Sequence, residues 1–290
     1  MKRLLSSYVL VLMFLMGSVN AQEDSLKKAL GSAVTDSAQT QILLELSMSR
    51  LEDDLAKAEA YAKQALEAST KGNFLEGIAS SYRYLGLSQF YQAHYGDAVD
   101  SWLKSLAMYD SIGDRTNVAR MYSNLGAVYE SQSDDVKALE FNLKSQKVAE
   151  EIRDTSRLMS ALTNIGVIYG KKSQTYDKAL QFSFDALKYA KELNNLEMES
   201  KISTNIGEIY FNQNKDTLAL EYFEKSVKGY EGSENMTSAL LNIGKVYASR
   251  GDYSSAEKYQ KEAFALAEKL DLKRDMATSL LSPEYLFKTR

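Results

Sequence analysis

From about residue 36 onward the chain alternates short polar breaks with stretches whose apolar residues recur at steps of three and four. Around Gly126, the residues Val118, Met121, Tyr122, Leu125, Val128 and Tyr129 keep this step, which lines one face of a helix with 3.6 residues per turn. After a polar break, Val136, Leu139, Leu143 and Val148 mark a second helix. Asp134 or Asp135 is placed to cap it, because a short acceptor side chain satisfies the free N–H groups of a first turn. The pattern predicts pairs of amphipathic helices.

The pair is written repeatedly. N-L-G-A-V-Y at 124–129 returns at 164–169, 205–210 and 242–247, with a weaker copy at 84–89. Gly86, Gly126, Gly166, Gly207 and Gly244 are therefore spaced 40, 40, 41 and 37 apart. Twelve residues after each glycine, or thirteen in the third copy, stands Ala98, Ala138, Ala179, Ala219 or Ala256. Seven further on stands Ser105, Ser145, Ala186, Ser226 or Ala263, and the same rule counted backward finds Ala58 and Ala65. Glycine inside a helix costs roughly 0.5–1 kcal/mol relative to alanine. Five at one phase predict close approach of the partner helix, with the paired alanine keeping the gap small.

Composition removes most chemistry. The 290 residues include no Cys, one His and one Pro, which excludes a disulfide framework, a thiolate metal site, a multi-histidine metal site and a cysteine nucleophile. No glycine-rich phosphate loop, paired catalytic carboxylates, nucleophile elbow or metal spacing appears, so neither an enzyme nor a bound cofactor is expected. A net charge of -4 argues against a nucleic-acid partner. His94 falls in a turn and reads as incidental; Trp102, one residue off the phase of Phe141, Phe182, Tyr222 and Tyr259, reads as core, as do the tyrosines. Lys2 and Arg3, an apolar run from Leu4 to Met16 and small residues up to Ala21 predict a signal peptide over residues 1–21. Its apolar stretch is short of the roughly 20 residues that span a bilayer, so the expectation is export to a periplasmic or secreted location without stable membrane insertion.

The glycine, tyrosine, alanine and small-residue series resembles the tetratricopeptide repeat, in a long form of about forty residues, over roughly residues 36–290. HEAT repeats share the period, but the series with small residues on both helices fits the tetratricopeptide pattern better. Two departures stand out: the proline that ends the common repeat is missing throughout, and Gln89 replaces the tyrosine of the other copies. The resemblance implies an all-α, right-handed α-solenoid of about six helix-turn-helix repeats, near 36–72, 73–113, 114–153, 154–194, 195–232 and 233–272. Residues 22–35 would be a flexible segment, and 273–290 a capping or truncated helix in which Pro283 interrupts the rhythm.

It further implies that the residue two before each glycine, Asn124, Asn164, Asn205 and Asn242, with Tyr84 in the first copy, faces the groove of the solenoid. Packed helices lie roughly 8–10 Å apart and an extended peptide advances about 3.3 Å per residue, so one asparagine meets about every third peptide residue. Its amide offers both a donor and an acceptor, which suits a backbone. The other reading of the ladder is structural, each asparagine bonding the neighbouring repeat. Arg83, Arg120 and Lys201 are candidates for acidic groups, and Phe90 and Phe211 for apolar anchors. The expected function is a non-enzymatic scaffold for a protein or peptide. The alternative is the sensory ectodomain of a signalling protein such as a histidine kinase or cyclase. Self-association through the C-terminal repeat is a further expectation.

Overall fold

The computed structural model describes residues 23–231 and 233–272, together with Met276 and Ser279. The expected signal peptide, and the expected C-terminal helix apart from those two residues, lie outside the described residues. Among the described residues the regular structure is helical, with one 3₁₀ turn, and no helix is long and apolar enough to cross a membrane.

Residues 23–32 are helical (α1), and twelve helices follow: α2 (Asp36–Ser49), α3 (Leu55–Lys71), α4 (Leu75–Tyr91), α5 (Tyr95–Ser111), α6 (Arg115–Ser131), α7 (Asp135–Glu151), α8 (Thr155–Gly170), α9 (Tyr176–Glu192), α10 (Leu196–Asn212), α11 (Asp216–Gly229), α12 (Glu234–Ser249) and α13 (Tyr253–Lys269). From α2 onward they pair as antiparallel hairpins. The described residues up to Val148 form one compact unit and those from Ala149 another.

The spacing of the repeats follows from how each helix stops. Nine described residues in the chain reversals have positive φ: Asn73, Ala93, Gly113, Ser133, Arg153, Asn194, Asn214, Gly251 and Asp271. The N–H that follows each one bonds a carbonyl five residues back, as in His94 N–H to Gln89 O at 2.9 Å and Asp114 N–H to Tyr109 O at 2.9 Å. This satisfies a carbonyl that the helix end leaves free. The next helix then begins at once, often under a side-chain cap: Asp54, Asp114, Asp134, Asp154, Asn195 and Asp252 each accept an N–H three residues on. In α4, α5 and α6 a 17-residue helix plus three link residues gives 20 per element, hence 40 per pair. The left-handed turn does the stopping, so no proline is needed. The extra residue of the third copy is taken up by the 3₁₀ turn Ser173–Thr175, and the short last spacing by the 14 residues of α11.

Within each hairpin the glycines do bring helices together, but the gap is filled one turn beyond the alanine. A methyl group on Gly86 would lie 2.5 Å from the Trp102 ring, and one on Gly207 would lie 2.6 Å from Phe223. On Gly126 it would meet the Asn142 amide, and on Gly166 the Ser183 hydroxyl at 2.7 Å. Ala98, Ala138, Ala179 and Ala219 are fully buried beside these contacts. The small residues of the second helix stitch the pair by hydrogen bonds: Ser105 donates to Ala79 O at 2.8 Å and Ser145 to Ala119 O at 2.9 Å. The repeated tyrosine stacks on the second helix's aromatic, Tyr129 on Phe141 at 5.5 Å, Tyr169 on Phe182 at 5.6 Å and Tyr247 on Tyr259 at 5.6 Å.

The stretch expected to be flexible, 22–35, is instead helical over 23–32. Leu26 and Leu30 pack against Leu43, Leu46 and Ala65, covering the first hairpin's apolar face. The buried Glu23 carboxylate pairs with Arg50 and accepts from the Tyr61 hydroxyl at 2.8 Å. Stripping water from a carboxylate is costly unless it is paired in this way.

Two tests follow from the hairpin contacts. Gly86→Ala and Gly207→Ala press on rigid rings and are expected to lose about 1–3 kcal/mol. Gly166→Ala meets only a rotatable hydroxyl, and its helix-propensity gain holds it within about 1 kcal/mol of wild type. Urea denaturation reads the order. Ala93→Gly relieves a left-handed residue and is expected to gain up to about 1 kcal/mol, whereas Gly113→Ala, with open space around it, loses about as much from backbone strain alone.

Candidate functional site

In the second unit, Asn164, Asn205 and Asn242 occupy the same position of α8, α10 and α12, each half-buried. The face of α10 that carries Asn205 meets α8 across a cleft of about 160 Å³. Gly166, Val167, Gly170 and Lys171 line it from α8 and the turn after it, and Asn205, Glu208, Ile209 and Asn212 from α10. Gly170 leaves room here, since even an added methyl would only touch Ile209 at 3.6 Å.

The three asparagines are not equivalent. Asn242 stands beside Glu208 of the preceding repeat, where its amide favours the charged carboxylate. Asn164 is also engaged. Among the described residues the Asn205 amide has no hydrogen-bond partner, and it faces the cleft. The ladder therefore carries both readings at once, stacking at one rung and an open donor–acceptor pair at another. Beside it, Glu208 keeps part of its side chain in solvent, yet the surrounding helices strip enough water to push its carboxyl above the ordinary value; the Lys245 charge and the nearby Asn242 amide pull the other way.

The flanking residues divide. Lys201 stands exposed one turn before Asn205 and does not line the cleft. Phe211 is not available as an apolar anchor. Only 5% exposed, it packs with Ala219, Phe223, Ile243 and Val246, and Lys245 lies over its ring at 5.0 Å. Its position four after the glycine turns it into the contact between repeats.

In the first unit, Tyr84 and Asn124 hold the corresponding positions of α4 and α6. The Arg83 guanidinium lies 4.0 Å over the Tyr84 ring, and its buried Nε has no partner. Tyr84 donates its hydroxyl to Met48 Sδ at 3.4 Å. Arg120 is half-buried and engaged. Phe90, the other expected anchor, is instead part of an aromatic cluster, 5.7 Å from Trp102 and 5.8 Å from Tyr95. The departure at Gln89 explains this. Where the other copies stack two rings, Gln89 accepts a hydrogen bond from Ser101 at 2.7 Å, and Phe90 with Trp102 supplies the missing aromatic contact.

The residue pattern did not single out Lys171 or Asn212 as site residues, whereas Gly170 and Glu208 fall four and one after a repeat glycine, at positions that flank the ladder. The signal for Gly170 was its place four after Gly166, where the other copies carry a side chain. His94 is the N-cap residue of α5 but makes no capping bond, and no three His, Asp or Glu side chains cluster as metal ligands among the described residues.

A family model for the tetratricopeptide repeat matches residues 199–269. No curated protein matches the chain by sequence. Among solved structures, the apo form of the quorum sensor NprR from B. thuringiensis is 16% identical, with 99% of this chain and 82% of that chain covered and a TM-score of 0.70. NprR in complex with its cognate peptide NprX is 16% identical over 92% and 79%, with a TM-score of 0.63. A Rap protein complexed with Competence and Sporulation Factor is 16% identical over 96% and 78%, with a TM-score of 0.69. At these identities the likeness is one of fold. Residues 199–269 match the tetratricopeptide repeat by sequence, and the helical hairpins before them share the same fold.

Proposed function

We propose that this protein is an exported, non-enzymatic scaffold that binds an extended peptide segment along the asparagine-bearing faces of its first helices. The observation that carries the reading is the unpartnered Asn205 amide in the cleft between α8 and α10. An amide presenting a donor and an acceptor matches one residue of an extended backbone, whatever its side chain. Gly166 and Gly170 let that backbone approach the floor of the cleft, and Asn212 extends the polar wall. The fold it shares with NprR, which has been seen with its cognate peptide, supports the same use here. Lys2, Arg3 and the apolar run Leu4–Met16 support export.

Glu208 then gives the cleft a side-chain preference. A carboxylate that has lost part of its hydration gains from a cation brought by the ligand, so a lysine or arginine in the peptide is favoured beside it.

Peptides selected from a random library against the wild-type protein should bind Asn205→Ala about three- to tenfold more weakly, the effect of losing one ordinary hydrogen bond, with unchanged helical circular dichroism. Equal affinity for both proteins removes Asn205 from the site. For Glu208 the folded value is raised, so its contribution to stability is complete below the unfolded value and is lost as pH rises through the folded one. Glu208→Gln should accordingly raise the thermal midpoint at neutral pH and leave it unchanged at about pH 3.

A further inference from the structure

Helix α10 has a second polar face. At about 100° per residue, Leu196, Glu199, Ser200 and Ser203 lie roughly half a turn around the helix from Asn205, Glu208 and Asn212. On that far side is a larger cleft, about 370 Å³, bounded by α9, α10 and α11. Lys191, Lys225 and Lys228 stand around it, with Glu199 as the carboxylate of the lining, and Leu187, Leu196 and Tyr222 supply apolar wall.

The pairing of these groups is incomplete. Lys225 is bound to Glu221 at 2.7 Å and lies 4.4 Å over the Tyr222 ring. Lys191 and Lys228 have no carboxylate partner among the described residues. Inside the cleft, Ser200 spends its hydroxyl on Leu196 O at 2.9 Å, the usual resort of a helical serine. Ser203 does not: it is only 4% exposed, lines the cleft, and has no hydrogen-bond partner among the described residues. Its hydroxyl borders the cleft with little access to water, and a ligand atom there would supply the hydrogen bond it lacks. Gly229 shapes one wall, because any side chain there would collide with Ser200.

The geometry points to this cleft as a binding site for a small organic anion, a phosphate or carboxylate on an apolar body, separate from the peptide cleft and independent of it. Lys191 and Lys228 supply the charge, as flexible ammonium groups that suit a phosphate or carboxylate without fixing its orientation. Ser203 donates to an anion oxygen, and Leu187, Leu196 and Tyr222 hold the apolar part. Glu199 favours ligands that also present a hydroxyl or amine, and opposes those that do not.

Phenyl phosphate, benzoate and phenol are the probes, titrated calorimetrically into the full chain at low salt. Phenyl phosphate or benzoate should bind and phenol should not; which anion binds more tightly separates the two sources. Lys191→Ala/Lys228→Ala, at exposed positions, should weaken the bound anion at least tenfold without moving the thermal midpoint. Ser203→Ala should weaken it several-fold, and Glu199→Gln should strengthen it. The inference is overturned if neither anion binds the wild-type protein, or if binding survives the double lysine substitution unchanged.

Discussion

Most reversals between the described helices turn on a single residue forced into the left-handed region, with the following N–H returned to the last turn of the helix it leaves. That geometry ends a helix without proline and starts the next one within three residues. Everything periodic depends on it. Because links and helices keep nearly constant lengths, Gly86, Gly126, Gly166 and Gly207 reach the same point of successive hairpins, and the asparagines two residues earlier reach the same face. A residue added inside a helix would turn all that follows it by about 100° about the helix axis and scatter both series. At seven of the nine reversals the turning residue is not glycine, so the strain is borne by the contacts of the hairpin.

Those contacts explain how much could be read from the residues alone. The helices and their pairing were legible because glycine, alanine and tyrosine recur at fixed offsets, and a recurrence is visible without any partner being known. The filling of the glycine gaps was not legible, since Trp102, Asn142, Ser183 and Phe223 share a position but no chemistry. The same lack of a common type hid the roles of Phe90 and Phe211. An aromatic four residues after a glycine looks like an anchor until Gln89 and Ser101 are seen to have surrendered the ring stack to its neighbours. The helix at 23–32 went unread for a different reason. Its inward groups are the buried Glu23 and the partly buried Leu26 and Leu30, and the charge that secures it, Arg50, lies 27 residues away.

The asparagine ladder shows what a repeat can and cannot specify. Position fixes where an amide stands; the neighbouring repeat fixes what it does. Asn242 stands beside the Glu208 carboxylate, while Asn205 faces Val167 and the space beside Gly170 and stays open. Identical residues in identical places thus acquire different availability from one side chain on the preceding helix. Helix α10 is the extreme case, polar on two opposite sides and apolar between them through Ile202, Ile206 and Ile209. It is held by packing on its flanks, which leaves the Asn205 side open while Ser200 and Ser203 lie buried at the edge of the larger cleft.

The fixed element length also constrains how such a gene can change. Recombination that adds or removes 40 codons returns every glycine to its gap and every asparagine to its face, so the fold tolerates whole-unit duplication. A single added codon inside a helix would displace all that follows in that hairpin. The one extra residue that this chain does carry sits where the 3₁₀ turn at Ser173–Thr175 absorbs it before α9 begins. Growth in steps of one repeat, with single-residue drift confined to the links, is the mode of divergence that this architecture permits.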